Sequence, residues 1–260
     1  MNFLENYYSN YDEEGRLLRR HGQVEYLTTM HYINEILKGD KSKRILEVGA
    51  GTGRYSVTLA KEGYEVDALE LVEHNLDILK SKLDGTEKIR AVQGNALDLS
   101  RYEEETFDLV LILGPMYHLY TVEDRKKALA EAVRVTKQGG HIFVAYCMNE
   151  CVVVQFAFAT DNIKDLIQKQ MLTEDFYCLS KPEDLFAMVR LEEIYELTET
   201  LQVEREKIVA ADGATVYMRD KVNEFDDETF DLWMKYHLAT CERMDLIGAT
   251  NHSLDILKKK

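Results

Sequence analysis

Ile45-Leu46-Glu47-Val48-Gly49-Ala50-Gly51-Thr52-Gly53-Arg54 is the stretch that decides the fold of this chain. An apolar run ends in an acid, three alternating glycines follow, and a helix-like segment opens at Tyr55. Strand, glycine turn and helix in that order begin a nucleotide-binding βαβ unit. Glycine lets the backbone approach a ligand closely, and the helix N-terminus presents unpaired N–H groups. A dinucleotide fingerprint reads G-x-G-x-x-G/A, with the third glycine allowing helix and strand to pack. Here Arg54 stands in that third place, and the extra glycine falls one residue early at Gly53. The spacing favours an adenosine ligand without a pyrophosphate. Glu70 lies about 20 residues past the glycines, where an acid accepts both ribose hydroxyls. Asp67 is the alternative acid, less suited because it falls inside its strand.

Periodicity extends this unit along the chain. Residues 11–37 are helical in period, punctuated by Gly22 and Gly39. Strands are expected at 43–48, 64–70, 89–93, 107–113 and 141–146, with helices at 55–61, 73–83 and 121–135 between them. The run at 107–113 is almost wholly apolar, as in a parallel strand buried on both faces. Thr121 and Asp124 have capping-box spacing, and Gly139-Gly140 is expected to stop the helix they open. Residues 149–190 are helical in period but follow no strand, which reads as an inserted lid. A strand at 201–210, the Asp212-Gly213 turn, a helix at 227–244 and a last strand at 252–257 complete the order. Alternating strands and helices imply a parallel sheet with ligand at the strands' carboxyl ends.

Bulk properties narrow the partners. With 47 acidic against 32 basic residues the formal charge is −15, which repels a polyanion, so no nucleic acid is expected. No apolar run approaches the roughly 20 residues of a membrane helix, and no signal peptide is expected at the N-terminus. Cys147, Cys151, Cys178 and Cys241 are irregularly spaced, matching neither a disulfide framework nor a zinc site and fitting a reducing cytoplasm. A small-molecule partner suits this charge best, and the chain is expected to be a monomer or homodimer.

The glycine run, its acid and the element order resemble the class I S-adenosylmethionine-dependent methyltransferases. Leu113-Gly114-Pro115-Met116-Tyr117-His118-Leu119 is similar to a bacterial small-molecule-type subgroup with a G-P-x-Y-H-L loop. The resemblance implies an α/β, Rossmann-like, seven-stranded mostly parallel sheet with helices on both faces. It also implies an N-terminal helical cap (1–42), a cofactor-binding core (43–148), a helical lid (149–197) and a C-terminal part of the core (198–260). S-adenosyl-L-methionine is the implied cofactor and S-adenosyl-L-homocysteine the product. Gly49, Ala50 and Gly51 would face the adenosine and methionine moieties, with Glu47 near the amino group. Glu70 would hold the ribose, and Leu71 would lie beside the adenine.

Gly94-Asn95-Ala96-Leu97-Asp98-Leu99 is similar to the family's G-D-A-x-D-L loop, with Asn95 in place of the usual acid. An amide oxygen still accepts a hydrogen bond from the adenine amino group, and Asp98 is the alternative contact. Leu113 would present its carbonyl to the methionine amino group. Tyr117 and His118 are then the candidates for orienting the acceptor or removing its proton. Among cap residues, Tyr7, Tyr8, Tyr11, Arg16, Arg19, Arg20 and His21 are candidates for the methionine carboxylate and sulfonium. Tyr117, Tyr146, Phe156, Phe158, Phe176 and Tyr177 are candidates for an acceptor wall.

No N/D-P-P-Y tetrapeptide follows the fourth strand and no proline precedes a cysteine, which argues against exocyclic-amine and cytosine C5 methylases. No clustered metal ligands are expected. The implied activity is N- or O-methylation of a small molecule. Alternatives are a non-catalytic S-adenosylmethionine-binding regulator, a protein or RNA methyltransferase and, disfavoured by Arg54, a nucleotide-dependent oxidoreductase.

Overall fold

The computed structural model describes residues 3–11 and 13–260; the side chains of Glu13 and Arg16 lie outside the described set, and with them the expectation for Arg16. Five strands form in parallel: β1 (Arg44–Val48), β2 (Glu65–Glu70), β3 (Ile89–Gln93), β4 (Phe107–Ile112) and β5 (Thr136–Met148). β6 (Met188–Val189), β7 (Val203–Ala210) and β8 (His252–Lys259) follow. The order is β3-β2-β1-β4-β5-β8-β7, with β8 antiparallel to both neighbours and β6 beside the end of β5.

The sheet therefore has eight strands rather than the expected seven. The addition is the two-residue β6, too short to carry any periodicity. β5 also begins at Thr136, five residues earlier than expected, because the helix before it stops at Val135 and Thr136 is already extended. Gly139-Gly140 lies inside the strand as a bend and not as a helix stop. At Gly140 a Cβ would come 3.0 Å from the Asp108 carbonyl oxygen of β4.

The strands are apolar because both faces are covered. Along β4, Val110 and Ile112 join one core while Leu109 and Leu111 join the other, the alternation a pleated strand imposes. The helices, in chain order, are α1 (Phe3–Tyr8), α2 (Glu13–Arg16), α3 (Arg20–Leu37), α4 (Arg54–Lys61), α5 (Glu73–Ser81), α6 (Val122–Val135), α7 (Asn149–Val152), α8 (Ile163–Gln168), α9 (Leu191–Thr198), α10 (Arg219–Asn223), α11 (Asp227–Thr240) and α12 (Met244–Ile247). α6 and α9 supply Leu129, Ala132 and Ile194 to the first core. α3 and α4 supply Ile33, Leu37 and Leu59 to the second. Much of the expected N-terminal cap is thus a sheet-covering helix, and Gly22 sits inside its first turns without breaking it.

Thr121 caps α6 as its spacing predicts, accepting the Asp124 N–H at 3.0 Å. The 149–190 segment is only partly helical. After α7 the chain runs through a π-helix at Val153–Phe158, then α8, and residues 169–187 are largely irregular. Its helical period is real in the first half and coincidental in the second, where backbone groups are satisfied by turns such as Leu179 N–H to the Met171 carbonyl. Among the described residues no helix is long and apolar enough to cross a membrane.

Candidate functional site

A cavity of about 460 Å³ opens at the carboxyl ends of β1 to β4. Glu47, Gly49, Ala50, Gly51, Glu70, Leu71, Asn95, Ala96, Leu113, Tyr117 and His118 all line it. Residues from four strand ends, spread over more than a quarter of the chain, are brought to one surface by the parallel sheet.

The glycines answer separate demands. Gly49 has φ +74°, and a Cβ there would sit 2.7 Å from the Pro115 ring, so the loops after β1 and β4 touch only because this residue has no side chain. Gly53 has φ +84°, and a Cβ would meet Leu79 of α5 at 2.5 Å. Gly53 thus supplies a close helix contact one residue before the place where a dinucleotide fingerprint has its third glycine.

Two acids face this loop in different states. Oε2 of Glu70 accepts the Gly51 N–H at 2.7 Å and Oε1 accepts the Val72 N–H at 2.8 Å. These bonds fix the carboxylate, an acceptor-only group, at the end of β2. Glu47 is buried at the end of β1 and accepts the Ser56 N–H at 2.9 Å and the Ser56 hydroxyl. Burial pushes its carboxyl up to about 8 against the pull of the Ser56 bonds, and the nearby Glu70 charge adds to the rise. A buried carboxyl of that kind is suited to an ammonium, which would restore its charge.

Asn95 makes an Asx turn, its Oδ1 accepting the Leu97 N–H at 2.9 Å, which uses one of the two lone pairs. Asp98 does not line the cavity; it accepts the Ser100 N–H at 3.0 Å, and that side-chain and backbone bonding to Ser100 lowers its carboxyl. Asp67 is also elsewhere, buried in β2 and paired with Arg90 at 2.6 Å and Arg44 at 3.4 Å. Leu71 is 37% exposed, an apolar side chain bared on the cavity wall. The Leu113 carbonyl accepts the Tyr117 hydroxyl at 3.1 Å. Positive-φ glycines, a fixed acid, a bared leucine and a buried carboxyl together fit an amino-acid-bearing adenosine.

His118 is held from both sides. Its Nδ1 lies 2.9 Å from the Leu185 carbonyl, which only accepts, so Nδ1 carries the proton and Nε2 accepts the Tyr8 hydroxyl at 2.9 Å. Burial pushes this imidazole down to about 4 despite the Leu185 bond, so it is neutral near pH 7. Leu185 has φ +71° and closes a γ-turn in which the Phe186 N–H donates to the Asp184 carbonyl at 2.9 Å. That strained conformation turns the Leu185 carbonyl toward His118 and also toward the Tyr120 hydroxyl, 2.7 Å away.

A second cavity, about 350 Å³, adjoins the first. Tyr8, Glu25 and Tyr117 line both. Its wall includes Tyr7, Tyr11, Phe156 and Phe186, and Phe156 lies in the π-helix, a geometry frequent at functional positions. The floor is an ion cluster: His252 Nδ1 is 2.9 Å from Asp212 Oδ2 and 3.4 Å from Glu25 Oε2. Burial alone would strip the His252 proton; Glu25, Cys147 and Asp212 outweigh it and hold the imidazolium. Asp212 is likewise buried, yet His252 and Thr250 hold its carboxyl down to about 2. Against the expectation of no clustered metal ligands, this trio is one group, among the described residues, whose ligand atoms lie within 4.8 Å of one another. Its bonding here is that of a protonated histidine between two carboxylates.

Of the cap candidates, Tyr7, Tyr8, Tyr11 and His21 reach these cavities, whereas Arg20 pairs with Asp227 at 2.6 Å and Arg19 lines neither. Of the wall candidates Tyr117 and Phe156 do so. Phe158 and Phe176 pack on each other with ring centres 6.2 Å apart, Tyr177 donates to Glu193 and the Met188 carbonyl, and Tyr146 is core. Sequence reasoning missed Glu25, Phe186, Asp212 and His252. For the last two a signal existed: an antiparallel last strand starts, and its neighbour ends, at the ligand edge of the sheet.

Residues 46–144 match a family model described as a methyltransferase domain. A demethylmenaquinone methyltransferase of Clavibacter sepedonicus is 35% identical over 102 residues, covering 39% of this chain and 40% of that protein. A glycine/sarcosine N-methyltransferase of Aphanothece halophytica is 29% identical over 140 residues, covering 53% and 51%. The chain thus spans about half the length, or less, of these two curated relatives. Among solved structures, an S-adenosylmethionine-dependent methyltransferase of Thermotoga maritima, described as a possible histamine N-methyltransferase, has a TM-score of 0.57. It is 20% identical and covers 99% of both chains, a likeness of fold.

Proposed function

We propose that this chain, whose residues 46–144 match the methyltransferase-domain model, is a class I S-adenosylmethionine-dependent methyltransferase that methylates a small molecule held in the second cavity. The observation that carries this reading is the junction. A cofactor-sized cavity lined by the glycine loop meets a separate aromatic cavity at Tyr8, Glu25 and Tyr117. Donor and acceptor can therefore meet at these three residues from two cavities.

When bound, S-adenosylmethionine supplies the methyl group from its sulfonium. The rest falls to the chain's own residues. Glu70 takes the ribose hydroxyls, Leu71 and the Asn95-Ala96 turn flank the adenine, and Glu47 and the Leu113 carbonyl face the amino end. Gly49, Ala50 and Gly51 let the backbone close on the ligand. Methyl transfer disperses charge, so alignment and exclusion of water supply much of the rate. Tyr117 orients the acceptor from the shared wall. His118, neutral and bonded to the Tyr8 hydroxyl, acts through Tyr8 and is a positioning residue.

Titration calorimetry with S-adenosylmethionine, S-adenosylhomocysteine and NAD tests the donor half. Binding of the first two without NAD is expected, and binding of NAD alone overturns it. Release of S-adenosylhomocysteine with acceptor panels tests the acceptor half and separates an enzyme from a regulator.

A further inference from the structure

The second cavity carries both a carboxylate and a guanidinium in its wall, and the inference drawn from this rests on reading it as the acceptor pocket. At the junction with the first cavity its wall has the Glu25 carboxylate together with Tyr8 and Tyr117. Away from the shared residues its wall carries Phe156, 48% exposed, with the Arg219 guanidinium 5.8 Å from the ring centre. Arg219 is the one arginine or lysine lining this cavity among the described residues, and among them it has no carboxylate partner. Arg190 and Arg205, by contrast, each hold acids at 2.6–2.7 Å. The other cation of the cavity, His252, is committed to Asp212 and Glu25.

We propose that the methyl acceptor is an amine bearing one carboxylate, its nitrogen at Glu25 and its carboxylate on Arg219. A planar guanidinium matches a carboxylate with two parallel hydrogen bonds. One guanidinium neutralises one negative charge, which favours a carboxylate over a dianion. At the other end, tyrosine faces and a carboxylate favour a cationic ammonium. The ammonium passes its proton to the Glu25 carboxylate. The freed lone pair forms the N–C bond as the carbon–sulfur bond breaks, and the sulfur leaves as a neutral thioether.

The test uses pairs that differ only in the carboxylate: histidine and histamine, tyrosine and tyramine, phenylalanine and phenethylamine. Each is offered to the S-adenosylhomocysteine-loaded protein for binding and to the S-adenosylmethionine-loaded protein for turnover. The acid-bearing member of at least one pair is expected to bind more tightly. Arg219→Ala should raise its KM or Kd roughly ten- to hundredfold, the worth of a hydrogen-bonded ion contact, and erase the difference within the pair. Arg219→Lys should restore part of it, and kcat should change far less than KM. Equal binding within every pair, preference for the decarboxylated member, no binding of any acid-bearing probe, or an Arg219→Ala effect equal on both members overturns the proposal. Donor binding by the Arg219→Ala protein separates this failure from failure of the methyltransferase reading, because Arg219 does not line the donor cavity.

Discussion

The Tyr8 hydroxyl donates to Nε2 of His118 across 2.9 Å, joining the first helix to the loop after β4 over 110 positions of sequence. This bond and the Leu185 carbonyl consume both ring nitrogens, and neither partner requires the imidazolium.

His118 is accordingly expected to stay neutral down to about pH 4. The unfolded chain gains this proton near 6.5 and the folded one does not, so the stability tied to His118 is full above 6.5 and is lost as pH falls toward 4. Histidine NMR titration checks it, and a His118 midpoint near 6.5 would refute it. Tyr8→Phe, leaving Nε2 without its donor, should cost about 1–3 kcal/mol.

Glu47 predicts a pH effect of the opposite sign. Its carboxyl keeps its proton to about 8 in the folded chain, whereas the unfolded chain releases it near 4.5. Stability should therefore fall as pH rises from about 4.5 to about 8, and Glu47→Gln should flatten that slope. An ammonium bound beside it would expel the proton, so donor binding at pH 7 should release protons. Calorimetry in buffers of differing ionisation enthalpy reads this directly; a buffer-independent heat would refute it.

Gly49→Ala combines a positive φ with a clash against the Pro115 ring. It should lose about 1–3 kcal/mol and weaken donor binding more than tenfold. Gly63→Ala is the control: φ is +96° but nothing lies within 4 Å of the added carbon. It should carry a conformational cost and leave donor affinity unchanged.

Arg205 of β7 holds Asp255 of β8 at 2.6 Å and 2.9 Å, and the Asp255 side chain is fully buried. Arg205→Met strands that carboxylate and should destabilise by about 3–5 kcal/mol in denaturant titration. The double change Arg205→Met with Asp255→Leu should recover much of the loss. A single variant as stable as the parent would mean that the pair contributes nothing.

The lining of the first cavity was legible because its demands are local. Glu47 to Gly53 encode a strand end, a turn and a helix start within ten residues, and Glu70 and Asn95 repeat the logic after the next two strands. The lining of the second cavity was not, because its residues come together only after folding. Glu25 reads as one more charge on an amphipathic helix, Asp212 as a turn residue and His252 as a strand's first residue. Phe186 is aimed by the strained Leu185 turn, which no residue preference announces. The two-residue β6 and the early start of β5 escaped for the same reason: neighbouring strands, not local pattern, define them.

The order β5-β8-β7 also sets a sequence of assembly. β7 reaches the sheet only through β8, so it has no partner until a later segment has been made. During synthesis from the N-terminus, the parallel strands and the glycine loop can come together first. Asp212 and His252 arrive with the last two strands. The strand ends that bear the glycine loop can thus be in place before Asp212 and His252 complete the charged floor of the second cavity.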